Sequence, residues 1–234
     1  MSTLVFIPGL LLTPRLYDPQ VAAFRGDYPV VHADTLGMDS ITAMAEKALS
    51  AVAGDIIPVG LSMGGYVALE MARLAPQRLK GLIIMDSNAA EDTPERKQER
   101  QRLIEMSRIG KFHGASKALL ATFVAPGNIN DETITRPIMV MAEEVGRENF
   151  FLQQQAIMAR RDQFDTLKGL DCPGLFIVGS EDIPFLEPVR AMAAAMKNST
   201  YVEIEGAGHL PTLEDPDAVN AAMAAFLARH YPFG

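Results

Sequence analysis

The chain has 234 residues, 48% hydrophobic and 21% charged, the balance of a globular protein rather than a disordered or fibrous one. A formal net charge of -8 argues against binding nucleic acid, whose phosphates are held by lysine and arginine, and against an anionic membrane surface. At this length one α/β domain, alone or with an insert, fits, and two unrelated domains would be cramped.

The first residues, MSTLVFIPGLLLTPRLYDPQ, carry no basic leader and meet Pro8-Gly9 after a short apolar run, so they read as a strand rather than a signal peptide. No apolar run approaches transmembrane length. TLVFI from Thr3, VVHA from Val30, IIPVG from Ile56 and LIIM from Leu82 alternate with helix-period runs, as parallel strands with helical crossovers do. Ile41, Met44, Ala45, Ala48, Leu49 and Val52 repeat at helical spacing behind a cap at Asp39 or Ser40. A second helix carries Val67, Ala68, Met71 and Leu74 and stops before Pro76. Pro58 is out of place in a central strand, because it cannot donate to the ladder.

After Met85 the stretch EDTPERKQERQRLIEMSR is charge-dense and helical, and no convincing strand follows until Gly174. Residues 89 to 166 therefore read as a helical insert in a core formed by 1 to 88 and 167 to 234. The α/β rhythm resumes with GLFIVG from Gly174, a helix bearing Val189, Met192, Ala193 and Met196, and TYVEIE from Thr200. In the last helix Asp215 caps, Pro216 occupies the first turn, and Val219, Met223, Phe226 and Leu227 form the buried stripe. The single cysteine, Cys172, has no partner for a disulfide or a thiolate metal site, which suits a reducing, cytoplasmic setting.

Gly60-Leu61-Ser62-Met63-Gly64 is a G-x-S-x-G pentapeptide with a strand before it and a helix after it, the context in which a serine is presented on a sharp turn. Glycine and serine are also frequent in ordinary turns. A serine nucleophile needs a base. Of the four histidines, His32 lies at a strand end, His113 in the insert and His230 near the terminus, whereas His209 sits in the glycine-flanked loop EGAGHLPTLEDP between the last strand and the last helix. The imidazole needs an acid in turn. Asp182, just past the strand FIVG, completes the order serine, acid, histidine, with Glu181 and Asp86 as rivals.

Together these motifs resemble the α/β-hydrolase superfamily, in its lidded, serine esterase-like branch, over essentially the whole chain. ADTLGMDS from Ala33 is similar to the stretch preceding that branch's first helix, and GAGHLPTLEDP is similar to its histidine loop. The resemblance implies a mostly parallel sheet of about six strands flanked by helices, without the two leading edge strands of the full fold. It implies a helical lid, the catalytic set Ser62, Asp182 and His209, and an oxyanion hole of two main-chain N–H groups, from Met63 and Leu10. Here Pro8-Gly9-Leu10 stands where the branch usually carries His-Gly-x.

The insert supplies apolar residues among which a pocket would be lined, including Phe112, Phe123, Met139 and Met158. Arg160 and Arg161 are candidates to pin a substrate carboxylate, against the alternative of a solvated helix face paired with Asp162. No G-x-G-x-x-G, P-loop or H-E-x-x-H occurs, so no cofactor and no metal is expected. The expectation is a cofactor-free serine hydrolase, monomeric or homodimeric, that cleaves small apolar esters or lactones through an acyl-enzyme. Serine at the nucleophile position argues against the dehalogenase and epoxide hydrolase chemistries of the superfamily. A C–C bond hydrolase of an acidic substrate and a non-turnover ligand-binding protein remain alternatives.

Overall fold

The structure is a computed structural model that describes residues 1–108 and 117–231. Six parallel strands, β1 (Thr3–Ile7), β2 (Val30–His32), β3 (Ile56–Leu61), β4 (Leu82–Met85), β5 (Gly174–Gly179) and β6 (Ser199–Ile204), form one sheet in the order β2-β1-β3-β4-β5-β6. The four central strands are buried along their whole length. This explains their continuous runs of Ile, Val and Leu: helices cover both faces, so neither face needs polar residues.

Three helices accompany the first four strands: α1 (Asp18–Phe24), α2 (Ile41–Ser50) and α3 (Met63–Leu74). Ser40 caps α2 by accepting from the Ala43 amide. Between β4 and β5 lie α4 (Pro94–Arg108), α5 (Lys117–Leu120), α6 (Glu132–Ala159) and α7 (Phe164–Gly169). Within α6, Gly146 takes a non-helical φ of 75° and breaks the rod into two segments. α4 and α5 pack on α6, whereas α7 packs on α3.

The remaining helices are α8 (Ile183–Ala195), α9 (Pro211–Glu214) and α10 (Pro216–His230). Asp215 caps α10 through the Ala218 amide, and Val219, Met223, Phe226 and Leu227 are its buried stripe. Met196, expected within α8, is instead the residue that ends it. Pro58 pairs in register with Val5 of β1, and the β3–β4 register begins one residue later at Val59. The proline therefore stands where the β4 ladder has not yet formed.

The order of the strands reverses direction between β1 and β3. In open parallel sheets that switch point opens a crevice beyond the carboxyl ends of the strands. Ser62 directly follows β3, and Pro8-Gly9-Leu10 directly follows β1.

Candidate active site

Ser62 is held at φ 54°, ψ -117°, a backbone conformation that costs a non-glycine residue strain and that clusters at functional sites. Its surroundings over-determine it. The Ser62 amide donates to Met85 O at 2.9 Å, and its carbonyl accepts from Ser87 Oγ at 2.7 Å. Strand and helix cross with no room for side chains: a Cβ on Gly60 would fall 2.2 Å from Gly64 O, and one on Gly64 would fall 2.0 Å from Ile7 O. The glycines around Ser62 are thus required by close approach and not only by the turn.

The loop after β1 lies against this elbow, since a Cβ on Gly9 would sit 3.4 Å from Ser62 Cβ. Leu11 takes a φ of 61°, and its amide donates to Gln153 Oε1 of α6 at 3.0 Å. Among the described residues the Leu10 amide has no acceptor. Met63 begins α3, so its amide is one of the first-turn donors that a helix leaves without an internal partner.

At the same edge of the sheet, His209 Nδ1 and Asp182 Oδ2 are 2.7 Å apart and both residues are buried. Glu181, the neighbouring rival, is exposed. The imidazole is flanked by Phe185 of α8, with centroids 4.7 Å apart, and by Phe123, 6.2 Å away and nearly parallel. His32, on the edge strand β2, is exposed, and His230 packs on Phe226 of α10, so neither joins this group. Phe112 and His113 lie outside the described residues.

Sequence reasoning passed over two residues here and took a third only as a rival. Glu214 accepts from the amides of Gly208 and Leu210 on either side of His209 and from the Ala125 amide. Gln153 holds the loop after β1. Both act through backbone groups, for which composition carries no signal, although Glu214 lies within the quoted GAGHLPTLEDP segment. Asp86, considered only as a rival acid, is fully buried beside Asp182. Burial first, and then the Asp182 charge, push its carboxyl well above the usual range, against the opposing Gly179 N–H bond.

The remaining insert candidates are dispersed. Phe123 is at the imidazole, Met139 is exposed on α6, and Met158 is half-buried. Arg160 is neither a solvated helix-face residue nor paired with Asp162. It is 8% exposed, pairs with Asp92 at 2.8 Å, lies 4.1 Å over the Tyr66 ring and donates to Ala90 O and Ile157 O. Asp162 instead accepts from the Phe164 amide. A planar guanidinium suits such a buried junction because all of its donors can be matched.

Asp86, Asp182 and His209 are the one grouping among the described residues of three side chains of metal-binding kinds, one ligand atom of each lying within 4.8 Å of the others. Within the group His209 Nδ1 is hydrogen-bonded to Asp182, and Asp86 Oδ1 accepts from the Gly179 amide.

The alpha/beta hydrolase family model matches residues 4–222. The chain belongs to that family. An esterase from Thermogutta terrifontis, solved with malate bound, superposes with a TM-score of 0.89 at 28% identity, covering 98% of this chain and 91% of that one. The Mycobacterium tuberculosis protein BpoC, whose name makes it a candidate non-heme bromoperoxidase, is 27% identical, covering 96% of this chain and 93% of its own. The 3-oxoadipate enol-lactonase 2 of Acinetobacter baylyi is 23% identical, with coverage of 97% and 88%. These relatives support a hydrolase. No helix of the described residues is long and apolar enough to cross a membrane.

Proposed function

We propose that the protein is a cofactor-free serine hydrolase that cleaves carboxylic ester-like bonds in small, largely apolar esters or lactones through an acyl-enzyme. The observation that carries this reading is the buried hydrogen bond of 2.7 Å between His209 and Asp182, at the sheet edge where Ser62 is held at φ 54°.

In this reading Asp182 accepts the Nδ1 proton and fixes the tautomer, leaving Nε2 to take the proton of Ser62. The serine oxygen attacks the carbonyl, and the amides of Met63 and Leu10 bind the oxyanion, each such donor being worth about 3 kcal/mol of barrier. His209 returns the proton to the leaving alcohol, and water activated by the same base releases the acid. Residues 89–166 act as the lid, with Phe123 as an apolar wall beside the imidazole. An esterase and an enol-lactonase among the relatives support the substrate class, and the free, half-buried Cys172 suits a cytoplasmic setting.

The alternative of an acidic C–C substrate predicts a basic cluster near the pocket, with Arg160 facing it, and the Arg160 charge is instead met by Asp92. A fluorophosphonate probe tests the proposal directly, on wild type and Ser62→Ala side by side, followed by short-chain p-nitrophenyl esters. Labelling and turnover that disappear in Ser62→Ala support it. A folded wild type that does neither overturns it and leaves ligand binding as the function.

A further inference from the structure

We propose that Asp86 is an un-ionised positioning residue that donates its carboxyl proton to Asp182, so that His209 is oriented by two carboxyl groups sharing one proton. The inference rests on the reading of Ser62, Asp182 and His209 as the catalytic set.

Asp86 follows β4 with a φ of 44°. Its amide donates to Ile177 O, and its Oδ1 accepts from the Gly179 amide at 2.9 Å. Both ends of the residue are therefore fastened to β5, three residues before Asp182. The side chain is fully buried. The titratable groups that face it are Asp182 and Glu214, Tyr17 of the turn before α1 and His209. None brings it a cation, because the Nδ1 of His209 is already given to Asp182.

The Oδ2 atom decides the protonation state. It is buried with no hydrogen-bond partner, and the carboxylate beside it is that of Asp182, the two groups having oxygens within 4.8 Å of each other. Two carboxylates have nothing to donate to each other, and an uncompensated buried charge is among the costliest features a fold can carry. A proton on Oδ2 removes that charge and turns the orphaned acceptor into a donor to Asp182. Adjacent buried carboxyls titrate as a pair, with one holding the proton. Asp182 has an imidazole partner and keeps the charge; Asp86 has none and keeps the proton.

The consequence is mechanistic. A donor from Asp86 disperses the Asp182 charge and moderates how strongly that carboxylate holds a proton on His209. Removing the donor strengthens that hold, and His209 then serves as a free base only at higher pH.

The test combines a structural readout with a pH profile. Carbon-13 NMR of aspartate-labelled wild type reports carboxyl protonation whether or not the protein turns over a substrate. One buried aspartate that stays protonated at pH 7 and whose signal is absent from Asp86→Asn supports the proposal; ionised Asp86 overturns it. The positive φ is tolerated by asparagine and glycine, so both variants suit the site. Asp86→Asn keeps a neutral donor, and the acid limb of its kcat/KM profile should match wild type. In Asp86→Gly the limb should move up by about half to one pH unit. A downward shift in Asp86→Asn, or no shift in Asp86→Gly, overturns the proposal. Absence of ester turnover in wild type overturns the catalytic reading instead, and the NMR result still decides the state of Asp86.

Discussion

Glu214 clamps Ala125 to the loop that carries His209. One of its oxygens accepts from the Ala125 amide at 2.7 Å and from Asn128 Nδ2 at 2.8 Å, while the other accepts from the Gly208 and Leu210 amides at 2.9 and 3.3 Å. The two backbones also touch closely, since a Cβ on Gly208 would lie 2.3 Å from the Ala125 amide nitrogen. Glu214→Ala leaves these donors unmatched, each at about 1–3 kcal/mol when buried. The expected outcome is a lowered melting temperature and a fall in kcat of roughly tenfold or more, the misplacement of a base being costly. Melting curves and esterase kinetics check it; a variant with wild-type values of both would show that the clamp positions nothing.

Arg160 joins the end of α6 to the segment after β4 through Asp92, which also binds Arg100. Arg160→Met strands a buried carboxylate between one remaining cation and apolar surface. Breaking a buried pair from one side costs about 3–5 kcal/mol, so urea denaturation should show a loss of that order. Because Arg160 serves the packing, the KM of a neutral ester should change little.

Glu70 sets part of the acid stability. Burial would raise its carboxyl, but hydrogen bonds from Arg73 and Thr42, the Arg73 charge and a bond from Gln163 prevail and bring it from 4.5 to about 2. A carboxylate depressed in the folded state stabilises fully above its unfolded value and loses that contribution as pH falls through the folded one. The loss therefore runs from about pH 4.5 down to about pH 2, with a size on the order of 3 kcal/mol. Stability of Glu70→Gln should vary less with pH over that window than wild type; parallel curves would contradict the assignment.

Burial, with a smaller contribution from the charge of Asp171, raises the Cys172 thiol from 9.0 to about 11. The reactive thiolate is correspondingly scarce at pH 8. Iodoacetamide should modify the native protein far more slowly than the urea-unfolded chain, with mass spectrometry as the readout. Equal rates would place the thiol in an open, ionising environment.

Every strand run read from the sequence is a strand in the fold, and for the four central ones a continuous apolar run bounded by Gly and Pro leaves little alternative. The positions of Ser62, Asp182 and His209 after β3, β5 and β6 were legible for a related reason: strand–turn–helix spacing determines which residues follow the strand ends. Arg160 was misread because a side chain in a sequence reveals its charge but not its neighbour, and Asp92 lies 68 residues earlier. Glu214 and Gln153 escaped attention because they serve main-chain amides, which look alike at every position. Asp86 was visible as an acid, but its burial beside Asp182 appears only once β4 and β5 are paired.

The strand order has a consequence for how the molecule assembles. From β3 onward each new strand adds beside the previous one, so a nascent chain can extend its sheet as it leaves the ribosome, and the Ser62 elbow can form early. Glu214 reaches back across 89 residues to Ala125, and His209 arrives with it. A chain cut after β6 would keep all six strands and the Ser62 turn yet lack both His209, the base of the proposed mechanism, and the Glu214 clasp that seats its loop. Under the proposed mechanism, activity therefore waits on the segment that follows β6.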